Sequence, residues 1–202
     1  NYTLTYDPNY NSGNGAVIFI LDNNSPKILN LTSGHKAQGA VLNRYGMTNL
    51  EADGNLMGIY FDDFVINDIK YNFSEEPGNW EWQGYGNRQN FTECRANNFG
   101  WKNSNFAGKA RNEMGGKIYL NDVMAYYADS SYGSLNSKLV MNVSVAIPEV
   151  ATDSGVYLGW FNSKTYIAEP FNNNFVGIVL DGKPGYAGIY GYVYNASELI
   201  TT

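Results

Sequence analysis

The sequence predicts an all-β fold, a two-sheet antiparallel β-sandwich or jelly roll. Three observations carry that prediction. Segments of alternating apolar and polar residues recur along the chain, separated by Gly, Asn, Asp and Pro. No stretch of ten or more residues places apolar side chains at the i, i+3, i+4, i+7 spacing of a helix. The composition is 15% aromatic and only 16% charged, with 22 Gly and 17 Tyr, which suits a loop-rich β protein better than a helical one. At 202 residues the chain is long enough for a sizeable core, and one domain spanning residues 1–202 is expected.

Taken in order, the alternation predicts strands at Ala16–Leu21, Lys27–Thr32, Ala40–Tyr45, Leu56–Ile66, Ile69–Phe73, Lys117–Leu120, Lys138–Ile147, Gly155–Asn162, Phe175–Leu180 and Tyr186–Tyr194. In "KILNLT" Leu29 and Leu31 face one way, while Asn30 and Thr32 face the other. In "IKYNFS" Ile69, Tyr71 and Phe73 alternate with Lys70, Asn72 and Ser74. In "KLVMNVSVAI" Leu139, Met141, Val143, Val145 and Ile147 form one face, with Asn142 and Ser144 opposite. The expected core is built from inward residues of both sheets, among them Val17, Phe19, Leu139, Met141, Val143, Val156 and Leu158. No linker, low-complexity block or exact repeat interrupts the pattern.

The charge balance narrows the partners. A net charge of −6, a pI near 4.7 and 13 Lys+Arg spread along the chain leave no concentrated basic patch, so nucleic acid is not expected. No apolar run reaches the roughly 18 residues a membrane span requires. A chain that begins at Asn1 without Met is expected to be processed or excised. A single cysteine, Cys94, excludes an intrachain disulfide and reads as a buried or inert thiol, with intermolecular pairing as the alternative.

N-x-[ST] sequons occur at Asn1, Asn30, Asn72, Asn90, Asn142 and Asn195, with a seventh at Asn23 made doubtful by Pro26. Those at Asn30, Asn72 and Asn142 fall on the polar faces of predicted strands, where a glycan would project into water. This placement predicts a secreted or cell-surface glycoprotein.

Histidine is too scarce for familiar catalytic sites. With His35 alone, in the turn "TSGHKAQG", no Ser-His-Asp or Cys-His arrangement or structural zinc site assembles, and His35 is expected to be a surface turn residue. Paired carboxylates are the remaining route to hydrolysis. The candidates are Glu81 between two tryptophans, Glu113 in "RNEMGGK", Asp62 and Asp63 in "YFDDF", and Asp153. Two of them would have to meet at about 5–5.5 Å for a retaining enzyme or about 6.5–9.5 Å for an inverting one. Calcium has candidate oxygen ligands in Asp7, Asn9, Asn11 and Asn14 of "DPNYNSGNG", and in Asp62 and Asp63. The turn departs from the EF-hand pattern at Ser12 and Ile18 and also reads as an Asn/Gly hairpin turn.

The aromatic stretch "EEPGNWEWQGYGNRQNF" gives the strongest functional signal. Trp80, Trp82, Tyr85 and Arg88, with Trp101 nearby in sequence, could stack sugar rings and hydrogen-bond their hydroxyls. Large aromatics also fill sandwich cores. Trp80 and Trp82 share one strand face, so they point inward together or outward together.

From about Tyr6 to Ile189 the chain resembles a family of bacterial secreted domains with a concanavalin-like (laminin-G-like) jelly roll. The segments that carry the resemblance are "YDPNYNSGNG", "GHKAQGAVLNRYGM", "IYFDDF", "EPGNWEWQGYGNRQNF", "NNFGW", "NEMGGKIY", "AYYAD" and "DSGVYLGWFNSK". The resemblance implies a β-sandwich in a glycan-rich extracellular setting and no defined reaction. Where the family pattern has a histidine after "FGW", this chain has Phe106 in "SNFAGK", which weakens a catalytic reading. A segment that follows "GWFNS…FVGIVLDG" in relatives stands here at the N-terminus, as in a permuted domain or one unit of a tandem protein.

The sequence therefore predicts a secreted, N-glycosylated, non-catalytic domain that binds a polysaccharide or mediates adhesion. The alternative is a structural subunit of an extracellular filament or coat, self-associating through edge strands. A glycoside-active enzyme using Glu81 or Glu113 with an aspartate is the third reading.

Overall fold

A computed structural model describes residues 1–49, 54–83, 98–119, 126–164, 174–184, 186–194 and 199–201. In chain order the strands are β1 Tyr2–Asp7, β2 Ala16–Leu21, β3 Lys27–Asn30, β4 Leu42–Asn49, β5 Leu56–Ile66, β6 Ile69–Tyr71, β7 Trp80–Gln83, β8 Asn98–Lys102, β9 Glu113–Tyr119, β10 Tyr126–Gly133, β11 Leu139–Val150, β12 Gly155–Phe161, β13 Phe175–Lys183, β14 Tyr186–Tyr194 and β15 Leu199–Thr201. A 3-10 turn, Asn11–Gly13, lies between β1 and β2, and an α-helical turn, α1 His35–Gln38, follows β3. Two antiparallel sheets pack face to face as a sandwich. Sheet A runs β3-β2-β1-β11-β5-β9-β8, with β6 also on β5, and sheet B runs β15-β14-β13-β12-β4-β10-β7.

Alternation decides which side chains enter the core. In β1 Tyr2, Leu4 and Tyr6 point inward and Thr3 and Thr5 outward, and β1 lies between β2 and β11. All seven residues proposed for the core from sequence are buried. The β2, β5 and β14 boundaries match the alternation. The segment expected at Ala40–Tyr45 instead runs Leu42–Asn49, and β11 continues past Ile147 to Val150 across two register shifts against β5.

The centre of sheet B, at β12, is buried on both faces. Val156, Leu158 and Trp160 of β12 face the core, yet Tyr157 and Phe161 on the opposite face are buried too. A row of small residues, Ala128, Gly46, Gly159 and Gly177, crosses this outer face from β10 to β13. Aromatic rings close over the row. Tyr126 meets Phe161 at 5.7 Å and Tyr157 meets Phe175 at 5.1 Å. A Cβ on Gly177 would lie 2.5 Å from Phe175 Cζ, so the glycine makes room for the ring. Edge-to-face aromatic pairs of this kind add to area burial.

Two expectations about the turns change. The stretch around His35 forms a short helix instead of a plain turn, and His35 is buried rather than on the surface. Its Nδ1 accepts the Thr32 N–H at 3.2 Å, which ties the helix back to the end of β3. No helix among the described residues is long and apolar enough to cross a membrane.

Candidate functional site

The aromatic stretch that dominated the sequence enters the structure as β7, at the edge of sheet B beside β10. The backbone register places Trp80 opposite Asp129 and Trp82 opposite Tyr127, and the Trp80 side chain faces inward. Trp80 is only 7% exposed. Its ring stands edge-on to Tyr45, Phe64 and Phe73 at 5.5–5.9 Å and leans on Tyr127 at 5.3 Å. Trp80 therefore presents no face to a sugar, which corrects its place in the expected stacking platform. The core of both sheets needs a large ring at this corner. Trp101 on β8 is half-buried, and its Nε1–H donates to the Phe73 carbonyl at 2.9 Å. The Trp82 side chain, Tyr85, Arg88, Asn90, Cys94 and Asn195 lie outside the described residues.

Beside Trp80 lies a buried carboxylate that sequence reasoning did not single out. Asp129 Oδ2 accepts the Tyr45 hydroxyl at 3.1 Å, the Tyr71 hydroxyl at 3.2 Å and the Asn79 amide. Its Oδ1 accepts the Ser130 N–H at 2.6 Å. Tyr45 belongs to sheet B and Tyr71 to sheet A, so this one carboxylate joins the sheets through hydrogen bonds. Burial, and after it the Asp129 charge and hydrogen bond, push the Tyr71 phenol up to about 12. The available signal was the shared parity of Tyr127 and Asp129 in "YYAD".

Of the acids proposed for catalysis, Glu81 and Glu113 lie in different sheets. Glu81 sits on β7 in sheet B with an exposed carboxylate paired to Arg44 at 2.8 Å. Glu113 begins β9 in sheet A and is fully buried. Its two oxygens accept the backbone N–H groups of Phe106 and Ala107 at 2.8 and 2.7 Å. Glu113 thereby pins the segment linking β8 to β9, and Phe106 of that segment packs on Tyr60 at 4.4 Å.

Asp62 comes close to Glu113. Phe61 pairs with Met114 in the β5–β9 ladder, so Asp62 and Glu113 follow as the next pair on the outer face. Asp62 is 3% exposed, its Oδ2 lies against Gly108, and its Oδ1 has no hydrogen-bond partner. Burial raises the Asp62 pKa first; the charges of Asp63 and Glu113 add to it, against the Asp63 N–H and Lys70, which lower it. The segment covering the pair leaves no open cleft at these two acids.

A carboxyl whose pKa is raised by folding contributes stability that is present at low pH and lost as pH rises through the folded value. Ionised Asp62 thus costs stability at neutral pH. Asp62→Asn keeps the shape, offers an N–H₂ toward Glu113 and removes the repulsion. It is expected to stabilise the domain by on the order of 1 kcal/mol, raising Tm by about 2–4 °C at pH 7. The gain should shrink as the pH is lowered toward the ordinary aspartate range, which thermal melts across that range would check.

The turn proposed for calcium is closed by the protein's own cation. Asp7 Oδ1 accepts the Asn9 N–H at 2.9 Å, and Asn11 Nδ2 donates to the Leu31 carbonyl at 2.9 Å. Lys36 Nζ donates to the carbonyls of Pro8 and Gly13 at 3.0 and 3.2 Å, where an ion would compete with it. Asp63 is exposed on a positive-φ residue of β5. No group of three or more His, Cys, Asp or Glu that could hold a metal occurs among the described residues.

An open depression of about 310 Å³ is lined by Lys70, Tyr71, Asn72, Phe73, Ser74, Glu75, Glu76 and Pro77. Asn1, Asn23, Asn30 and Asn72 are exposed, and Asn142 is half-buried on the outer face of sheet A. No family model, curated protein or solved structure matches the chain.

Proposed function

We propose that the chain is a secreted, N-glycosylated, non-catalytic structural domain of an extracellular coat or filament, joined to the next copy through the open edge of sheet A at β3. The observation that carries this reading is β3 itself. It pairs with β2 on one side only, no described strand pairs its other side, and Ile28 at its centre is 45% exposed. A strand edge of this kind templates pairing with another chain. Glycans on Asn30 would project from the face of the sheet and leave its edge accessible. The residues offered for chemistry add support, since Trp80 and Glu113 are engaged inside the fold.

Electron microscopy and sedimentation of the native protein test the reading. Ordered polymers are expected, and Ile28→Asp should disperse them while changing the stability of the subunit by no more than about 0.5 kcal/mol. A native protein that stays monomeric at high concentration defeats the proposal.

Carbohydrate binding is the second reading, favoured by the depression at 70–77. Its Tyr71 ring, its Glu75 and Glu76 carboxylates and its Lys70 ammonium combine an apolar wall with polar groups, within a volume suited to one sugar unit. A glycan array with wild type and Tyr71→Ala separates it from the structural reading. The secreted concanavalin-like relationship belongs with both readings as a proposal.

A further inference from the structure

Two sequons meet in register on neighbouring strands. Thr3 of β1 stands opposite Asn142 of β11, and its hydroxyl donates to Asn142 Oδ1 at 2.5 Å. Two residues along, just past the N-terminal end of β1, the Ser144 hydroxyl donates to Asn1 Oδ1 at 2.6 Å. Each sequon's hydroxyl thus holds the other's amide oxygen. Among the described residues no group is hydrogen-bonded to either Asn Nδ2; Asn142 stands on the outer face of sheet A, and Asn1 is exposed just before β1.

The immediate surroundings of Asn142 are small. Its outward neighbours are Thr3, Val65, Val140 and Ser144, with Ile18 and Ile20 one strand further beyond β1, all half-buried, and the exposed Lys70 one strand further beyond β5. An outer sheet face normally carries charged or strongly polar side chains. Here the branched residues leave a shallow platform with an acceptor amide at its centre.

We infer that Asn142 carries an N-linked glycan that covers this platform and is attached before β1 docks on β11. The inference rests on the extracellular, glycosylated part of the proposed function. In the transfer, Asn142 Nδ2 attacks the anomeric carbon of a lipid-phosphate-linked oligosaccharide. The N–C bond forms, the carbon–oxygen bond to the phosphate breaks, the lipid phosphate leaves and the amide proton passes to a base. Oδ1 remains an acceptor afterwards, so the Thr3 hydrogen bond survives the modification. Docking of β1 places Asn142 inside a ladder and engages the Thr3 and Ser144 hydroxyls, which closes the sequon to further transfer. Because β1 and β11 lie far apart in sequence, Asn142 is available while the chain is still unpaired.

Glycopeptide mass spectrometry of the native protein is the first test. The peptide containing Asn142 is expected to be modified at near-complete occupancy, and a bare Asn142 overturns the inference whatever the polymer state proves to be. The second test supplies purified oligosaccharyltransferase and a lipid-linked oligosaccharide to unglycosylated chain, either folded or held unfolded. Transfer to Asn142 only in the unfolded chain is expected, and equal transfer to both overturns the proposed order. Trimming the native glycan enzymatically should raise binding of an apolar fluorescent dye severalfold, and unchanged binding removes the covering role. Polymers without a glycan on Asn142, or a glycan without polymers, tell the two proposals apart.

Discussion

Trp80→Ala is expected to destabilise the domain by about 3–5 kcal/mol, the range for truncating a large buried aromatic, and to lower Tm by roughly 6–20 °C. The ring fills the corner where Tyr45 and Tyr127 of sheet B meet Phe64 and Phe73 from the sheet A side, and it contacts each at 5.3–5.9 Å. Alanine would remove those contacts together, and strands on both sides fix the cavity walls, so collapse is limited. Trp80→Phe should cost far less. It keeps the edge-to-face packing and removes an indole N–H that is buried without a hydrogen-bond partner. Urea unfolding followed by circular dichroism measures both variants. A Trp80→Ala protein as stable as wild type that had lost affinity for a polysaccharide would return this side chain to the surface.

Trp80 also marks the limit of what the sequence could specify. A period of two says that positions 80 and 82 share a face, and it says nothing about which face meets the other sheet. That choice is made by the partner strand, which sets Trp80 opposite Asp129 and Trp82 opposite Tyr127. Where a strand alternates cleanly and one side is apolar, as in Leu139–Met141–Val143 or Val17–Phe19, sequence and structure agree. In "YTLTYD" the alternation is equally plain, with Tyr2, Leu4 and Tyr6 buried, yet β1 is not among the expected strands. The polar run of β10 had no such stripe, so Asp129 went unnoticed. Glu113 and His35 fail in the opposite sense. Each is a polar residue that a sequence reading leaves outside, yet each is buried, with backbone N–H groups as partners. Burial of a polar group depends on donors that arrive from distant or turn segments, and local periodicity carries no record of them.

The Asp129 network yields the other large effect. Alanine at this position would leave the hydroxyls of Tyr45 and Tyr71, the Asn79 amide and the Ser130 N–H without their acceptor. Buried donors stripped of a partner cost about 1–3 kcal/mol each, and water entering the gap offsets part of that. A loss of about 3–4 kcal/mol for Asp129→Ala follows, larger than for most surface substitutions. Asp129→Asn separates charge from hydrogen bonding, because it keeps one acceptor oxygen and removes the negative charge. Part of what holds the Tyr71 phenol at about 12 is that charge, so Tyr71 should titrate at lower pH in the Asn variant, with burial still keeping it above an ordinary tyrosine. Tyr6 and Tyr127 are likewise pushed up to about 12, chiefly by burial. A phenol whose pKa is raised by folding contributes stability that is full below the ordinary tyrosine value, about 10, and is lost as pH rises toward the folded value. The wild type should therefore unfold cooperatively as pH climbs above about 10, with tyrosinate absorbance and loss of β signal rising together. Should Tyr71 titrate identically in wild type and Asp129→Asn, the carboxylate is not its partner, and the polar link between the sheets is lost with it.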